Sequence, residues 1–438
     1  MPDALKVGVA GLGTVGAATV KLLAEHAPLL ALRCDRPIRV VAVAARDRAR
    51  GRGIDLKPYR WFDDPVALAR DPGVDAVVEV IGGADGPARA TCRAAIEAGK
   101  HLVTANKALL AKEGTAIARL AEAKGVRLGF EAAVAGGIPI IKALREGLAA
   151  NRIARVFGIL NGTCNYILTT MRTTGREFAD VLADAQKLGY AEADPSFDID
   201  GVDAAHKLSV LASLAFGTEI DFAAMHVEGI RHVSATDFAF ADELGFRIKL
   251  LGIAERIGHA GGEGERPRIA QRVHPCLVAA DSPIAAVDGV FNGVVVEGDY
   301  VGTQMFEGRG AGGGPTASAV VADLIDMARG VAVPAFAIPA AKLVKAEPVA
   351  IDRRVGAYYV RLMVMDKPGV IADVTAALRD EQVSLEAMIQ RARAPGEAVP
   401  VVMVMHETGE AGMMRAMARI AKLGTVAEPP RVIRIERL

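Results

Sequence analysis

Leu5-Lys6-Val7-Gly8-Val9-Ala10-Gly11-Leu12-Gly13-Thr14-Val15-Gly16 is a short apolar run that leads straight into a glycine-rich loop. The run 5–10 predicts a buried strand, and a helix is predicted from Thr14. The GxGxxG from Gly11 to Gly16 therefore falls between strand and helix, the context in which such a loop holds a dinucleotide. Gly11 permits the tight turn, Gly13 lets the backbone approach the pyrophosphate, and Gly16 lets the helix pack on the strand. The free amides of the helix start, at Thr14 and Val15, and the helix dipole face the negative charge. The expectation is a nicotinamide-dependent oxidoreductase. The competing reading is an ordinary glycine turn in an α/β domain.

Working outward, further apolar strands are predicted at 38–44 (IRVVAVA), 74–81, 101–104 and 126–131, with helices at 88–98 and 108–124. Continuous apolar strands separated by helices imply a parallel sheet covered on both faces. The second strand of such a domain usually ends in an acid that takes the ribose hydroxyls. Here it ends Ala44-Ala45-Arg46-Asp47-Arg48, and a guanidinium at Arg46 suits a 2′-phosphate, so NADP is expected over NAD. The distance from Gly16 is about 30 residues rather than about 20, which an insert at 27–37 would explain. The alternative is that Arg46 and Arg48 are solvated and Asp47 is the ribose ligand.

The chain has 438 residues, which suggests about three domains. Its 52 basic and 52 acidic residues balance, so charge gives no pull toward nucleic acid or an anionic membrane. No run reaches the ~18 apolar residues of a membrane span. A strand that begins by Leu5 leaves no room for a signal peptide, nor for a kinase domain ahead of it. Cys34, Cys92, Cys164 and Cys276 lie far apart, without a CxxC pair, and read as reduced thiols of a cytoplasmic protein.

From about Ala132 the texture changes to an α+β domain. It has a helix at 138–149, a strand at 153–160, helices at 177–188 and 200–216, and β stretches at 250–256, 267–273 and 287–297. A second glycine cluster, 308–314, precedes a helix at 315–329. Residues 331–355 contain three prolines and read as a linker with some local order. Residues 356–438 begin a separate βαββαβ pattern, the order of a ferredoxin-like module. The expected division is 1–131, 132–330 with its C-terminal part packing back on the first domain, the linker, and 356–438.

The segment 185–207 reads AQKLGYAEADPSFDIDGVDAAHK. Asp203 and Lys207 are four apart on a helix and share a face. Glu192 and Asp194 lie upstream in a turn at Pro195. Carboxylates can grip an ammonium, and a lysine can protonate an alkoxide that develops during hydride transfer. From spacing alone, a surface helix with an i,i+4 ion pair is the favoured reading.

The segment resembles the homoserine dehydrogenase signature, with Ala185, Gly189, Asp194-Pro195, Asp198, Gly201, Asp203 and Lys207 at its fixed positions. The resemblance extends over the first 330 residues or so. It takes in Thr104-Ala105-Asn106-Lys107, Asn161-Gly162-Thr163-Cys164-Asn165-Tyr166 and the run 308–316. It implies reversible interconversion of L-aspartate 4-semialdehyde and L-homoserine with NAD(P)(H). It implies Lys207 as proton donor to the aldehyde oxygen and Lys107 as a helper near nicotinamide and substrate. Glu192 and Asp203 would hold the substrate's ammonium and hydroxyl ends, Gly189 would lie by the nicotinamide, and Gly310 would close over the cofactor. It further implies a monovalent cation, Na or K, held mostly by backbone carbonyls at Glu131, Val134, Gly136 and Ile138 in the turn FEAAVAGGIP. Residues 356–438 resemble an ACT domain, on the βαββαβ order and Asp366-Lys367-Pro368-Gly369-Val370 at the first turn. That implies a small amino-acid effector, threonine first, or else a module that only supports dimerisation. A homodimer or homotetramer is expected. The rivals are a semialdehyde dehydrogenase, which needs a nucleophilic cysteine beside a base, and a non-catalytic amino-acid sensor.

Overall fold

The computed structural model describes residues 3–258, 266–391 and 394–437. Met1, Pro2 and Leu438, at the outer bounds of the first and last segments, lie outside them. Six strands form a parallel sheet in the order Arg60–Phe62, Ile38–Ala44, Leu5–Ala10, Ala76–Glu79, His101–Thr104, Leu128–Gly129. This order reverses at the phosphate-loop strand, and ligands of doubly wound sheets bind outside the strands' C-terminal ends at that point. The expected insert at 27–37 is mostly a helix, Ala27–Cys34, that buries Leu30 and Cys34. The predicted strand 126–131 shrinks to Leu128–Gly129, because Glu131–Ala133 turns into a 3-10 helix.

A second, mixed sheet runs Gly302–Arg309, Phe291–Gly298, Ile153–Ile159, Phe246–Arg256, Arg268–Ala279. It then continues through Arg431–Ile435, Val355–Met365, Ala398–Gly409 and Leu385–Gln390. The C-terminal βαββαβ unit is therefore not detached: Cys276 and Leu277 pair in parallel with Arg434 and Ile435. The linker is docked as well, with Glu347 and Pro348 paired to Arg268 and Ile269 and Phe336 fully buried.

Sequence reading missed the helix Gly162–Thr174. Four of its last six residues are threonines, which are weak helix formers, although Cys164, Ile167, Leu168 and Met171 do share a buried face. It also missed the strand Gly302–Arg309, a half-exposed edge strand with no apolar period to betray it. The helix expected at 138–149 is a short α-turn, Ile140–Lys142, followed by a π-turn, Ala143–Gly147.

The helix Gly313–Arg329 returns to the first sheet. Val320, Leu324 and Met327 share a core with Val9, Leu12 and Val20, and the backbone of Gly313 lies against Thr14. No single helix among the described residues is long and apolar enough to cross a membrane. The pair Thr14–Glu25 and Ala27–Cys34 passes such a test only jointly, bent by 75°.

Candidate active site

The glycine loop leaves its strand at Gly11, whose φ of +102° is a conformation that glycine alone adopts without strain. A Cβ on Gly16 would sit 1.9 Å from the Gly11 carbonyl oxygen, so the helix can approach the turn only without a side chain there. Beside the loop lies a cavity of about 810 Å3, lined by Gly11, Gly13, Arg46, Asp47, Arg50 and Arg52 among others. The loop and Arg46 thus face one space. The Asp47 carboxylate is turned into its own loop, accepting from the backbone N–H groups of Ala49 (2.8 Å) and Arg50 (3.3 Å). That weakens its claim as ribose ligand. Arg52 is also engaged, donating to the carbonyls of Leu12 and Asp47. Arg50, which the sequence reading passed over, lines the cavity beside Arg46.

At the C-terminal ends of the neighbouring strands, buried polar residues fix the loops. Glu79 is fully buried; its carboxylate accepts from Ile81 N (2.8 Å), Gly82 N (3.1 Å) and the Thr104 hydroxyl (2.7 Å). Asn106 caps the helix Lys107–Ala123 through Leu109 N and donates to Gly83 O. Lys107 is thereby launched from the first position of a helix whose start is pinned on two sides.

Lys107 meets the second domain at Asp203. Its Nζ lies 3.2 Å from Asp203 Oδ1, while Lys207 Nζ lies 2.6 Å from Asp203 Oδ2 and donates to Leu160 O at 2.8 Å. Asp203 occupies the first turn of the helix Val202–Phe216, where the dipole favours an anion. Burial pushes its carboxyl up, but Lys207 and Lys107 outweigh burial and hold it well below the usual carboxylate range. The i,i+4 pair foreseen from spacing is real, but it is buried rather than a surface pair: Lys207 is 8% exposed.

Asn161 completes the cluster. Its amide donates to Asp198 Oδ1 (2.7 Å) and Asp203 Oδ2 (2.8 Å), and its carbonyl accepts from Cys164 N. Sequence reading had this residue in a motif without a role; its signal is an N-cap asparagine two residues after the strand Ile153–Ile159. Burial raises the Asp198 carboxyl, the Asn161 amide lowers it, and the Asp203 charge raises it.

The remaining expected residues are more dispersed. Glu192 is exposed on the turn between helices, and no described side-chain contact joins it to the lysines. Gly189 lies on the same turn at φ +76°. A Cβ on Gly310 would overlap the Asn292 amide at 2.1 Å, and one on Gly136 would lie 2.4 Å from Gly310 O. The second glycine cluster therefore clamps the turn 131–138, where Gly137 N also donates to Arg309 O. Asn292 is buried with neither side-chain atom hydrogen-bonded. In that turn the Glu131 carboxylate accepts from Ile141 N and Lys142 N. Burial, then the Asp323 charge, push it up to about 7. The carbonyls of Val134 and Gly136 receive none of the described hydrogen bonds, whereas Ile138 O accepts from Ile140 N.

All four cysteines are buried and free. Burial pushes the Cys92 and Cys164 thiols well above the usual range, and nearby carboxylates push the same way. Neither is poised as the thiolate that a semialdehyde dehydrogenase needs.

Comparison with known proteins agrees with this geometry. A family profile described as the homoserine dehydrogenase NAD-binding domain matches residues 11–131, the homoserine dehydrogenase profile matches 139–325, and the ACT domain profile matches 358–425. Homoserine dehydrogenase from Neisseria gonorrhoeae is 45% identical over 440 residues, covering 99% of each chain. The one from Pseudomonas aeruginosa is 45% identical over 441 residues, again 99% of each. Among solved structures, a homoserine dehydrogenase from Thiobacillus denitrificans superposes with a TM-score of 0.92 at 45% identity, covering 100% of this chain and 99% of that one. A hyperthermophilic archaeal homoserine dehydrogenase in complex with NADPH gives 0.61 at 26% identity, covering 74% and 97%. With the nucleotide loop, the buried Lys–Asp–Lys cluster and the C-terminal module in one chain, these matches show that it belongs to the homoserine dehydrogenase family of nicotinamide-dependent oxidoreductases and carries an ACT domain.

Proposed function

We propose that the chain reversibly reduces L-aspartate 4-semialdehyde to L-homoserine, with NADPH preferred, and that Lys207 is its general acid. The observation that carries this is Asp203 held between Lys207 and Lys107 at the meeting of the two domains. The nicotinamide, when bound, supplies the hydride. As it reaches the aldehyde carbon, negative charge grows on the oxygen, and a preorganised cation stabilises it. Lys207 gives that oxygen a proton and takes one back in the oxidation direction. Lys107, about a third exposed, stabilises the same oxygen from the nucleotide side. The oxygens of Asp203 are taken up by both lysines and Asn161, so it acts by orienting the lysines. The substrate ammonium then falls to Glu192 on its exposed turn, and Asp198 holds the hydroxyl end. Gly189 and Gly310 keep the nicotinamide side free of side chains.

Asn161 is a positioning residue for both aspartates. Its amide favours the ionised form of Asp198, so its loss raises that carboxyl further. Asn161→Ala is expected to move the acid limb of the kcat/KM–pH profile to higher pH, because that limb reports the free enzyme's essential ionisations. A limb that stays in place removes Asp198 from the reaction.

For the nucleotide, Arg46 with Arg50 beside it offers guanidinium donors for a 2′-phosphate. A charge-assisted hydrogen bond is worth about 1.5–3 kcal/mol. Arg46→Ala should therefore lower the ratio of kcat/KM for NADP to that for NAD by about tenfold to a hundredfold in homoserine oxidation. An unchanged ratio, or a strong NAD preference in the parent enzyme, refutes the assignment.

The turn 131–138 fits a monovalent cation. The buried Glu131 carboxyl and the free carbonyls of Val134 and Gly136 are hard oxygen donors, and Ile138 closes the turn. NaCl or KCl should stabilise the fold more than choline chloride at equal ionic strength, by about 2.7 kcal/mol when the ion is 100-fold above its Kd. In Glu131→Gln the salts should become equivalent; persistence of the difference would remove the site.

The ACT module is read as the seat of a small amino-acid effector, threonine first, and the enzyme as a homodimer or homotetramer.

A further inference from the structure

The side chain of Asn292 is 1% exposed, and neither its Oδ1 nor its Nδ2 has a hydrogen-bond partner among the described residues. A buried donor and acceptor left unpaired cost stability, and a native fold holds few of them. Three functional elements meet on this amide. Asn292 stands opposite Gly308 in the strand pair that leads into the second glycine cluster. A Cβ built on Gly310 would lie 2.1 Å from both Cγ and Nδ2 and 2.4 Å from Oδ1, so the Gly310 backbone lies over the flat face of the amide. The Gly310 carbonyl in turn fills the space of a Gly136 Cβ in the cation turn. Toward the catalytic domain, Oδ1 is 3.6 Å from where Gly162 would carry a Cβ, and Asn165 donates to Phe291 O at 3.1 Å. Gly162 opens the helix capped by Asn161, which holds Asp198 and Asp203.

The cluster has unpaired groups of its own. The N–H groups of Gly310, Ala311 and Gly312 make none of the described hydrogen bonds, and the Gly310 carbonyl accepts none. Gly312 sits at φ +113° and is followed by Gly313 and Gly314, so the backbone can turn there at little steric cost. At its far end the cluster touches the phosphate loop, where a Cβ on Gly313 would lie 3.1 Å from Thr14 O. An unpaired amide and an unpaired run of backbone thus lie in contact, between the nucleotide loop and the cap of the catalytic helix. We propose that Asn292 is a positioning residue for the nucleotide: when the nicotinamide half settles on Gly310, the cluster turns so that Asn292 Nδ2 donates to one of its carbonyls and Oδ1 accepts from one of its N–H groups. Nucleotide binding then satisfies what the free enzyme leaves unpaired. Because the same amide backs Gly162, binding also firms the cap that holds Asp198 and Asp203. The proposal rests on the reading that Gly310 lies by the nicotinamide.

The test compares NADPH with 2′-phospho-ADP-ribose, which carries the phosphates and lacks the nicotinamide, on the parent enzyme, Asn292→Leu and Asn292→Ala. Kd is measured without substrate, by nucleotide fluorescence for NADPH and by calorimetry for the fragment. Both variants should bind NADPH about tenfold to a hundredfold more weakly, the worth of one or two hydrogen bonds, and should bind the fragment as the parent does. The melting temperature of the nucleotide-free enzyme should stay at or above the parent's in at least one variant, because an unpaired donor and acceptor have been removed. A lower melting temperature in both, or equal losses of affinity for NADPH and fragment, makes Asn292 a structural residue and overturns the proposal, as does an unchanged Kd for NADPH. NADPH that binds the parent no more tightly than the fragment overturns the reading of Gly310, and the proposal with it.

Discussion

Lys207→Met is expected to lower kcat for homoserine oxidation by at least about 10²-fold while leaving nucleotide affinity unchanged. Methionine keeps the length and apolar stem of the side chain, so the buried helix Val202–Phe216 still packs. What disappears is the donor 2.6 Å from Asp203, together with the proton it would supply. Asp203 stays ionised in the variant, because Lys107 and Asn161 still face it. A loss of turnover then reports chemistry, and a thermal melt that stays near the parent's excludes collapse. Lys107→Met should cost less, because Lys107 is farther from the carboxylate and partly solvated. The double variant should be no worse than Lys207→Met alone if both act on one developing charge, since residues that work as a unit are strongly non-additive. Near-normal turnover in Lys207→Met removes that lysine from the mechanism.

The first sheet was legible because its strands are buried on both faces, and the loop Gly11–Gly16 sits where a phosphate needs it. Lys207 and Asp203 were legible as a pair, but their burial was not, since burial depends on Leu160, Asn161 and Lys107, which come from distant parts of the chain. Glu192 shows the converse. Its motif position is distinctive, while its side chain is exposed and makes no described contact. The strand Gly302–Arg309 and the helix Gly162–Thr174 escaped because edge position and threonine content blur the periodic signal. What stayed hidden was how the C-terminal module docks. Its internal pattern was plain, but nothing in the run 431–435 announces that one edge pairs with Cys276 and Leu277.

That pairing makes the module part of the enzyme's core, with a large effect on stability. Arg361→Met is expected to destabilise the whole chain by about 3–5 kcal/mol, the cost of leaving a buried charge without its partner. Arg361 Nε lies 2.7 Å from Asp237 Oδ1, and both side chains are buried. Asp237 belongs to the catalytic domain, where it also closes the capping box of the helix Ala235–Glu243, and the Tyr359 hydroxyl of the module donates to it. Removing the guanidinium strands this carboxylate in a core that Phe238, Phe240 and Leu277 share with Tyr359, Val404 and Ile435. Adding Asp237→Asn to Arg361→Met should recover part of the loss, as double-mutant cycles show for coupled pairs. Urea titration followed by circular dichroism measures both, and the parent should unfold in one transition. Two well-separated transitions, or a loss under about 1 kcal/mol, would mean that the module docks loosely. The same argument bears on truncation before Val355. Such a chain would take Arg361 and Tyr359 from Asp237, strip Arg434 from Glu228 and expose the edge at Cys276. Its loss of activity would report a broken core rather than a missing regulator.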